Sequence, residues 1–291
     1  MQEELIQENI ERVKNASIPD LIAGAFQIFI TRMPVIAGAV TIINLPVVLY
    51  YALYRGDWNF PFSVESTGEI IVDETLLTSY YFELLVDAGI WLYLLLTVLA
   101  VAFVVELTIH GEYPELNGVI SHAITHWWDG IRTGLAKLSL YLGVFLMATL
   151  GGTVLSALFG ALLGSTAGIA LGIGFSLLLA IGPLIALTLM FFFDMNAASL
   201  RDVGGREALL YSFRVIRGQW LRVIGAIIAM LFLVNLPLWV FQFGLASIGI
   251  GTQPATQVLA MLIFNVIQSF ATVVYALIFL HLDYNAGERV P

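Results

Sequence analysis

The chain has no cysteine, and only 11% of its 291 residues are charged. The missing thiols exclude disulfide frameworks, thiolate zinc sites and cysteine nucleophiles. The small share of charged residues argues against a soluble enzyme or a disordered hub, since a soluble domain needs far more polar surface. Basic residues are scarce as well: 12 Lys and Arg face 21 Asp and Glu, which gives a net charge of −9. That balance argues against a basic, nucleic-acid-binding surface.

Long apolar runs occupy most of the chain. Hydrophobic residues make up 59% of it, and the mean hydropathy is +0.92. A hydrocarbon core about 30 Å thick needs about 20 apolar residues per helical span. Six stretches meet that length, at roughly 34–54, 88–109, 138–163, 167–193, 223–245 and 256–282. The third and fourth form one run that only Gly164-Ser165-Thr166 can turn. The sequence therefore predicts an all-α integral membrane protein with six transmembrane helices.

The basic residues predict the orientation of these spans. Eleven of the twelve Lys and Arg residues fall before span one, between spans two and three, between spans four and five, or after span six. Only Arg55 falls on the other side. Because Lys and Arg concentrate in cytoplasmic loops, both termini are predicted to be cytoplasmic, in the inner membrane of a prokaryote. The remaining loop, 55–87, carries seven acids and is predicted to be an external, solvated acidic loop.

A repeated unit divides the single membrane domain into three parts. Amphipathic segments at 17–32, 115–132 and 205–222 each precede an odd-numbered span, and their apolar residues recur with a helical period. Each even-numbered span ends in an acid. The predicted repeats are 17–109, 115–194 and 205–283, each a cytoplasmic interfacial helix followed by a hairpin of two spans. Packing around a pseudo-threefold axis is the corresponding hypothesis.

Several polar motifs resemble a known family. Three segments show the resemblance: Arg217-Gly218-Gln219-Trp220-Leu221-Arg222 after an interfacial helix, the terminus HLDYNAGER and the opening SIPDLIAGAFQIFITR. Together they are similar to the six-span membrane domain attached to some bacterial glycerophosphoryl diester phosphodiesterases, and to its stand-alone relatives. The resemblance implies an all-helical membrane domain connected with lipids. It does not imply phosphodiesterase activity, which belongs to a separate soluble barrel.

Acidic and amide side chains at the span ends are the main candidate site. They are Glu106, Asp194, Asn196, Asp283 and Asn285. One interpretation pairs each acid with an arginine or with backbone N–H groups of a neighbouring interfacial helix. The candidate arginines are Arg214, Arg217 and Arg222. The alternative interpretation is a ring of acids at an inner mouth, which would bind a cation or a proton.

Other polar and small residues suggest further features. Asn44 and Asn235 each precede Leu-Pro in mid-span, where a transporter would have kinks and a substrate site. His122 and His126 share a helix face, but no further ligand motif accompanies them, so no metal site and no cofactor are predicted. Glycines at four-residue spacing in spans three and four permit close helix packing, within the chain or in a homo-oligomer.

Three functional hypotheses remain open from the sequence. No nucleophile elbow, Walker loop or dinucleotide fingerprint is present, so the chain is not predicted to be an enzyme. The leading hypothesis is a non-enzymatic membrane module that engages lipid or supports a lipid-linked or membrane-complex partner. The second is a small-solute or ion transporter along the repeat axis, and the third a structural subunit of a larger membrane assembly. The first predicts a dry centre with side grooves, and the second predicts a polar cavity.

Overall fold

A computed structural model describes residues 2–54, 62–64, 70–72, 74–163, 165–247 and 254–286, and these residues are almost entirely helical. The helices are α1 (Gln2–Asn15), α2 (Ile18–Thr31), α3 (Met33–Tyr54), α4 (Glu74–Ile109), α5 (Leu116–Leu163), α6 (Ser165–Met190), α7 (Asp194–Leu200), α8 (Arg206–Ile216), α9 (Trp220–Met230), α10 (Leu236–Ser247) and α11 (Pro254–Ala286). Two short antiparallel strands, β1 (Phe62–Val64) and β2 (Ile70–Val72), pair between α3 and α4.

Six helical stretches of the described chain are long and apolar enough to cross a membrane, as predicted. They are Met33–Tyr51, Val86–Ile109, Leu116–Leu162, Ala170–Leu200, Trp220–Val240 and Val258–Ala286. Within an 18-residue apolar segment of each stretch, about 40% of the residues are buried in the first, second and sixth stretches, against 11% and 6% in the third and fourth. The core therefore lies where α3, α4 and α11 meet, around Ile36, Leu99 and Phe279. Helices α5 and α6 pack mainly against each other, at the periphery.

The start of α2 follows from local chemistry. Ser17 caps the helix, its hydroxyl accepts from the Asp20 backbone N–H, and the Asp20 carboxylate accepts from the Ser17 backbone N–H. The two bonds form a capping box. The hydrogen bonds from Ser17 lower the pKa of Asp20, so the carboxylate stays ionised. Helix α3 begins after Arg32, where Pro34 fits the first turn because it has no N–H to donate.

The second interfacial helix is not a separate element. Residues 115–132 were expected to end before the third span, but α5 runs without interruption from Leu116 to Leu163. The change from an amphipathic pattern at 115–132 to an apolar run from 138 suggested two separate helices. A Cβ at Gly134 would lie 3.2 Å from the Trp91 ring, so this glycine lets α5 approach α4 while the helix continues.

The predicted external loop is shorter than expected. Residues 74–87 belong to the first turns of α4 rather than to a loop that ends at Asp87. Several of the loop's acids, including Asp57, Glu65, Glu69 and Asp73, lie outside the described residues. Asp87 accepts a hydrogen bond from the Tyr51 hydroxyl at 2.9 Å, which links the last turn of α3 to α4.

A short helix, α7, was not predicted. It holds seven residues, all of them buried, after the fourth apolar stretch turns at Phe191–Phe193. Small side chains at Ala197, Ala198 and Ser199 let it pack between α4 and α5, and the Ser199 hydroxyl donates to the Leu99 carbonyl at 2.9 Å. Its position sets the direction in which the chain leaves for α8.

The fifth span contains a π-helical turn. Residues Leu231–Asn235 form the turn, between α9 and α10. Pro237 follows directly and cannot donate an N–H to the preceding turn, which favours such a bulge. The predicted interruption at Asn235-Leu236-Pro237 is therefore present, whereas α3 continues through Pro46 in the matching motif.

Glycines hold α5 and α6 close together. A Cβ on Gly168 would collide with the backbone of Gly160, and a Cβ on Gly152 or Gly172 would collide with serines of the facing helix. These glycines are therefore used for packing inside the chain. Gly143, Gly174 and Gly182, by contrast, face open space.

Candidate functional site

One arginine joins two of the predicted acids at one end of the bundle, here called the polar end. Arg201 follows α7 and lies between the last turns of α4 and α11. Its Nη1 is 2.7 Å from Glu106 Oε1, and its Nη2 and Nε are 2.6 and 2.9 Å from Asp283 Oδ2. The side chains are 23%, 16% and 9% exposed for Arg201, Glu106 and Asp283. This arrangement ties two long helices to the loop after α7.

Tyr211 of α8 completes this group, which is called the Arg201 cluster: Glu106, Arg201, Tyr211 and Asp283. The Tyr211 hydroxyl donates to Asp283 Oδ1 at 2.5 Å. Burial, together with this hydrogen bond, raises the pKa of Tyr211 to about 12. Burial by itself would lower the pKa of Arg201, but the carboxylates of Asp283 and Glu106 outweigh it and raise that pKa. The phenol therefore stays neutral and the guanidinium stays charged at ordinary pH.

The third acid lies in a separate ion pair. Asp194, at the start of α7, is 1% exposed, and its Oδ2 is 3.0 Å from Lys137 Nζ of α5. Lys137 also donates to the Phe191 carbonyl at 3.0 Å, and Asp194 Oδ1 accepts from the Met195 backbone N–H. The three acids therefore do not share one site: two hold Arg201, and the third holds Lys137.

The arginines named from the sequence have other contacts. The Arg214 guanidinium lies 5.5 Å from the centre of the Tyr211 ring, and Arg217 is exposed at the end of α8. Arg222 Nη1 lies 3.4 Å from His281 Nε2 of α11. Among the described residues, the cations paired with the three acids are Arg201 and Lys137.

The amides at the polar end contribute to packing. Asn285 donates to the Lys14 carbonyl at 3.1 Å and to the His281 carbonyl at 2.7 Å. His281 Nδ1 lies 2.7 Å from the Val13 carbonyl oxygen, so both residues fasten α1 to α11. Asn196 is 4% exposed within α7. Asn285 and His281 thus use their polar atoms in contacts that join α11 to α1.

The two mid-span asparagines lie in different surroundings. Asn44 is 5% exposed, and its amide donates to the Val40 carbonyl at 2.8 Å and to Thr97 Oγ1 at 3.0 Å. The second bond crosses from α3 to α4. Asn235 ends the π-helical turn and is half-buried. Asn44 is thus part of the helix-to-helix contact in an apolar core.

The histidine pair of α5 is engaged in packing and hydrogen bonds. His122 stacks on Phe103 at 3.7 Å between ring centres and on His126 at 4.0 Å. His122 Nε2 lies 3.0 Å from the Ser199 carbonyl, and His126 Nε2 lies 2.6 Å from Asp202 Oδ1. Within the described ranges, no three His, Asp or Glu residues gather as metal ligands.

An apolar groove opens sideways between α5 and α6. It has a volume of about 430 Å³. Its lining residues are Ser139, Leu140, Gly143, Val144, Met147, Ala148, Leu179 and Pro183. All of them belong to the third and fourth stretches that can cross a membrane. The Ser139 hydroxyl is bonded to the Leu135 carbonyl at 2.8 Å, so the groove offers a hydrocarbon surface.

Sequence reasoning missed three residues of the polar end. Arg201 and Lys137 were counted only as basic loop residues, and Tyr211 was not named as a candidate. A charge between two span-end acids of other helices gives no local signal. The one usable clue was the position of Arg201, seven residues after Asp194 and next to the repeated span-end motif.

Comparison of the chain with protein-family models, with curated proteins and with solved structures gives no match in any of the three. The function is therefore inferred from the geometry described above. That geometry consists of charge-paired helix ends, an apolar core and an apolar lateral groove.

Proposed function

We propose that this chain is a non-enzymatic, multi-pass membrane module that engages membrane lipid and supports a lipid-linked or membrane-complex partner. The observation that carries the proposal is the lateral groove between α5 and α6. Its volume of about 430 Å³ falls within the range of small-molecule sites, and its wall is mainly apolar. A groove of this kind, on two helices that can face lipid, suits a hydrocarbon chain.

The centre of the bundle supports a module rather than a solute pathway. Buried residues between α3, α4 and α11 are almost all apolar, and the amide of Asn44 donates to Val40 and Thr97. The three span-end acids, Glu106, Asp194 and Asp283, are each paired with Arg201 or Lys137, and these contacts argue against a free ring of carboxylates. A transporter along this axis would instead require polar groups facing water.

The same proposal includes the orientation and the repeat. The distribution of Lys and Arg favours cytoplasmic termini in a prokaryotic inner membrane, with 17–109, 115–194 and 205–283 as three hairpin units. The resemblance to the membrane domain of glycerophosphoryl diester phosphodiesterases adds a connection with lipids. An impermeant maleimide on intact cells tests the orientation: Ser66→Cys should react and Asn15→Cys should not, and the reverse pattern would refute it.

Native mass spectrometry of the gently solubilised protein tests the lipid site. We expect wild-type protein to carry co-purified lipid, and Gly143→Phe to carry clearly less, because the new ring fills the groove from a position open to it. Gly174→Phe is the matched control, since it also points into open space but lies outside the groove lining. Equal lipid retention in Gly143→Phe and wild type would refute the proposal that the groove binds lipid.

A further inference from the structure

Arginines concentrate in one exposed segment of an otherwise acidic chain. The net charge of the whole chain is −9, yet the stretch from residue 201 to residue 222 contains five arginines and two acids. Arg201 is used inside the Arg201 cluster. The other four have exposed side chains on α8, its end and the first turn of α9: Arg206, Arg214, Arg217 and Arg222. This surface is called the arginine surface.

Exposed apolar side chains lie among these arginines. Leu221, beside Arg222, is 86% exposed, and Leu210 of α8 is 45% exposed. The opposite face of α8 is anchored in the protein by the buried Leu209, Val215 and Ile216. An exposed face that mixes arginine and leucine on a docked helix matches the membrane interface, where aliphatic groups enter the acyl boundary and cations stay among headgroups.

The position of the arginine surface along the chain fits the membrane interface. The fifth stretch that can cross a membrane begins at Trp220, between Arg217 and Arg222. The junction of α8 and α9 therefore lies where the chain enters the hydrocarbon region. A half-buried Trp220 at this point is typical of an interfacial anchor.

The neighbouring surface has the opposite charge. A cavity of about 720 Å³ between α1 and α2 is edged by the exposed acids Glu8, Glu11 and Asp20, with Arg12 among them. An anionic headgroup is repelled there and attracted to the arginine surface. The polar end thus separates its charges, and Arg12 supplies an exposed arginine in an acidic setting for comparison.

We propose that the arginine surface binds the phosphate headgroup of anionic membrane lipid, with Leu210 and Leu221 inserted beside the acyl chains. The proposal rests on the proposed function, because it requires a chain embedded in a membrane, and it names the lipid class for a second contact site. The attraction is electrostatic and therefore weakens as salt is raised.

Native mass spectrometry of the full-length protein in mild detergent tests the proposal by titration with two lipids. Phosphatidylglycerol and phosphatidylcholine with the same acyl chains differ in the headgroup, which is anionic in the first lipid and zwitterionic in the second. We expect phosphatidylglycerol to bind more tightly to wild type. One exposed arginine near a membrane surface contributes about fivefold, so Arg217→Gln should weaken phosphatidylglycerol binding about fivefold and leave phosphatidylcholine unchanged.

Two variants and two competitors make the result decisive. Arg217→Lys keeps the charge and should bind as wild type does, and Arg12→Gln should have no effect. Glycerol phosphate, which has no acyl chains, should fail to displace the lipid, and so should polyglutamate. The proposal is overturned by equal binding of the two lipids, by an equal loss in Arg12→Gln, or by displacement with polyglutamate. If the two lipids bind equally well and Gly143→Phe still lowers the amount of co-purified lipid, this inference is wrong and the proposed function stands.

Discussion

A single guanidinium bonds two carboxylates at the end of the bundle, and this contact joins α4 to α11. Arg201 bonds both Glu106 and Asp283, and the three side chains are mostly buried. Taking such charges out of water is costly, so the arrangement is stable only while every charge keeps its partner. The cluster is therefore a vulnerable point, although its net contribution to stability is small.

Arg201→Gln should be strongly destabilising. It leaves two carboxylates facing each other without a cation, and breaking a buried ion pair of this kind lowers the free energy of unfolding by about 3 kcal/mol or more. Unfolding by sodium dodecyl sulfate in mixed micelles measures it. Arg217→Gln, at an exposed position at the end of α8, is the control and should change the value by less than about 0.5 kcal/mol.

A rescue variant separates charge from packing. Adding Glu106→Gln and Asp283→Asn to Arg201→Gln removes the unpaired charges and should recover most of the lost stability. If the triple variant is no more stable than Arg201→Gln alone, the shape of the arginine rather than its charge holds the helices, and the electrostatic explanation is wrong.

The sequence located the acids but not their partners. Glu106 and Asp283 were recognisable because a charge at the end of an apolar run is conspicuous. Arg201 was not, because its position depends on α7, a short helix whose small buried side chains give no periodic signal. Arg214, Arg217 and Arg222 were named instead because they lie on an obviously amphipathic segment, and amphipathicity does not determine which side chain reaches a neighbouring helix.

At the scale of elements, α5 has a close contact with α4 at the place where the sequence suggested a break between two helices. Six apolar helices were predictable, since length and hydropathy determine them. The continuity of α5 was not predictable, because a glycine such as Gly134 often lies where a helix ends. In this structure Gly134 lies inside the helix and fits against Trp91. A glycine in a helix has the same local signature whether it interrupts the helix or permits a contact.

Gly168→Leu should separate α5 from α6. A side chain there would collide with the backbone of Gly160, which cannot move without shifting the helix, and overpacking of this kind costs about 1–3 kcal/mol. Gly174→Leu, on the open side of α6, is the matched control and should be nearly neutral. Thermal unfolding in detergent compares them; a Gly168→Leu variant as stable as Gly174→Leu would mean that the two helices do not pack at this glycine.

At the scale of the whole molecule, the ion pairs of the described residues lie towards one end, and apolar contacts dominate the middle. α3, α4 and α11 form the buried core, α5 and α6 present a groove at the side, and α8 and α9 present exposed arginines. Composition could predict helices that suit a lipid bilayer. It could not locate the groove, which depends on how closely two helices pack.

The proposed function requires above all that the middle of the bundle be dry, because a lipid-engaging module needs no water there and a solute pathway does. The natural absence of cysteine makes a single-cysteine test clean. Asn44→Cys places a thiol at the buried polar position that a transport pathway would use, and Asn15→Cys, on the exposed end of α1, reports that the reagent reaches the protein.

Reaction of reconstituted Asn44→Cys with a small, water-soluble methanethiosulfonate is the decisive measurement. Permeabilised vesicles give the reagent access from both sides. We predict no modification of the Asn44→Cys variant under conditions that fully modify the Asn15→Cys variant, because apolar side chains of α3, α4 and α11 exclude water from the buried thiol. Rapid modification of both variants would show a water-filled path through the bundle and would contradict the proposed function.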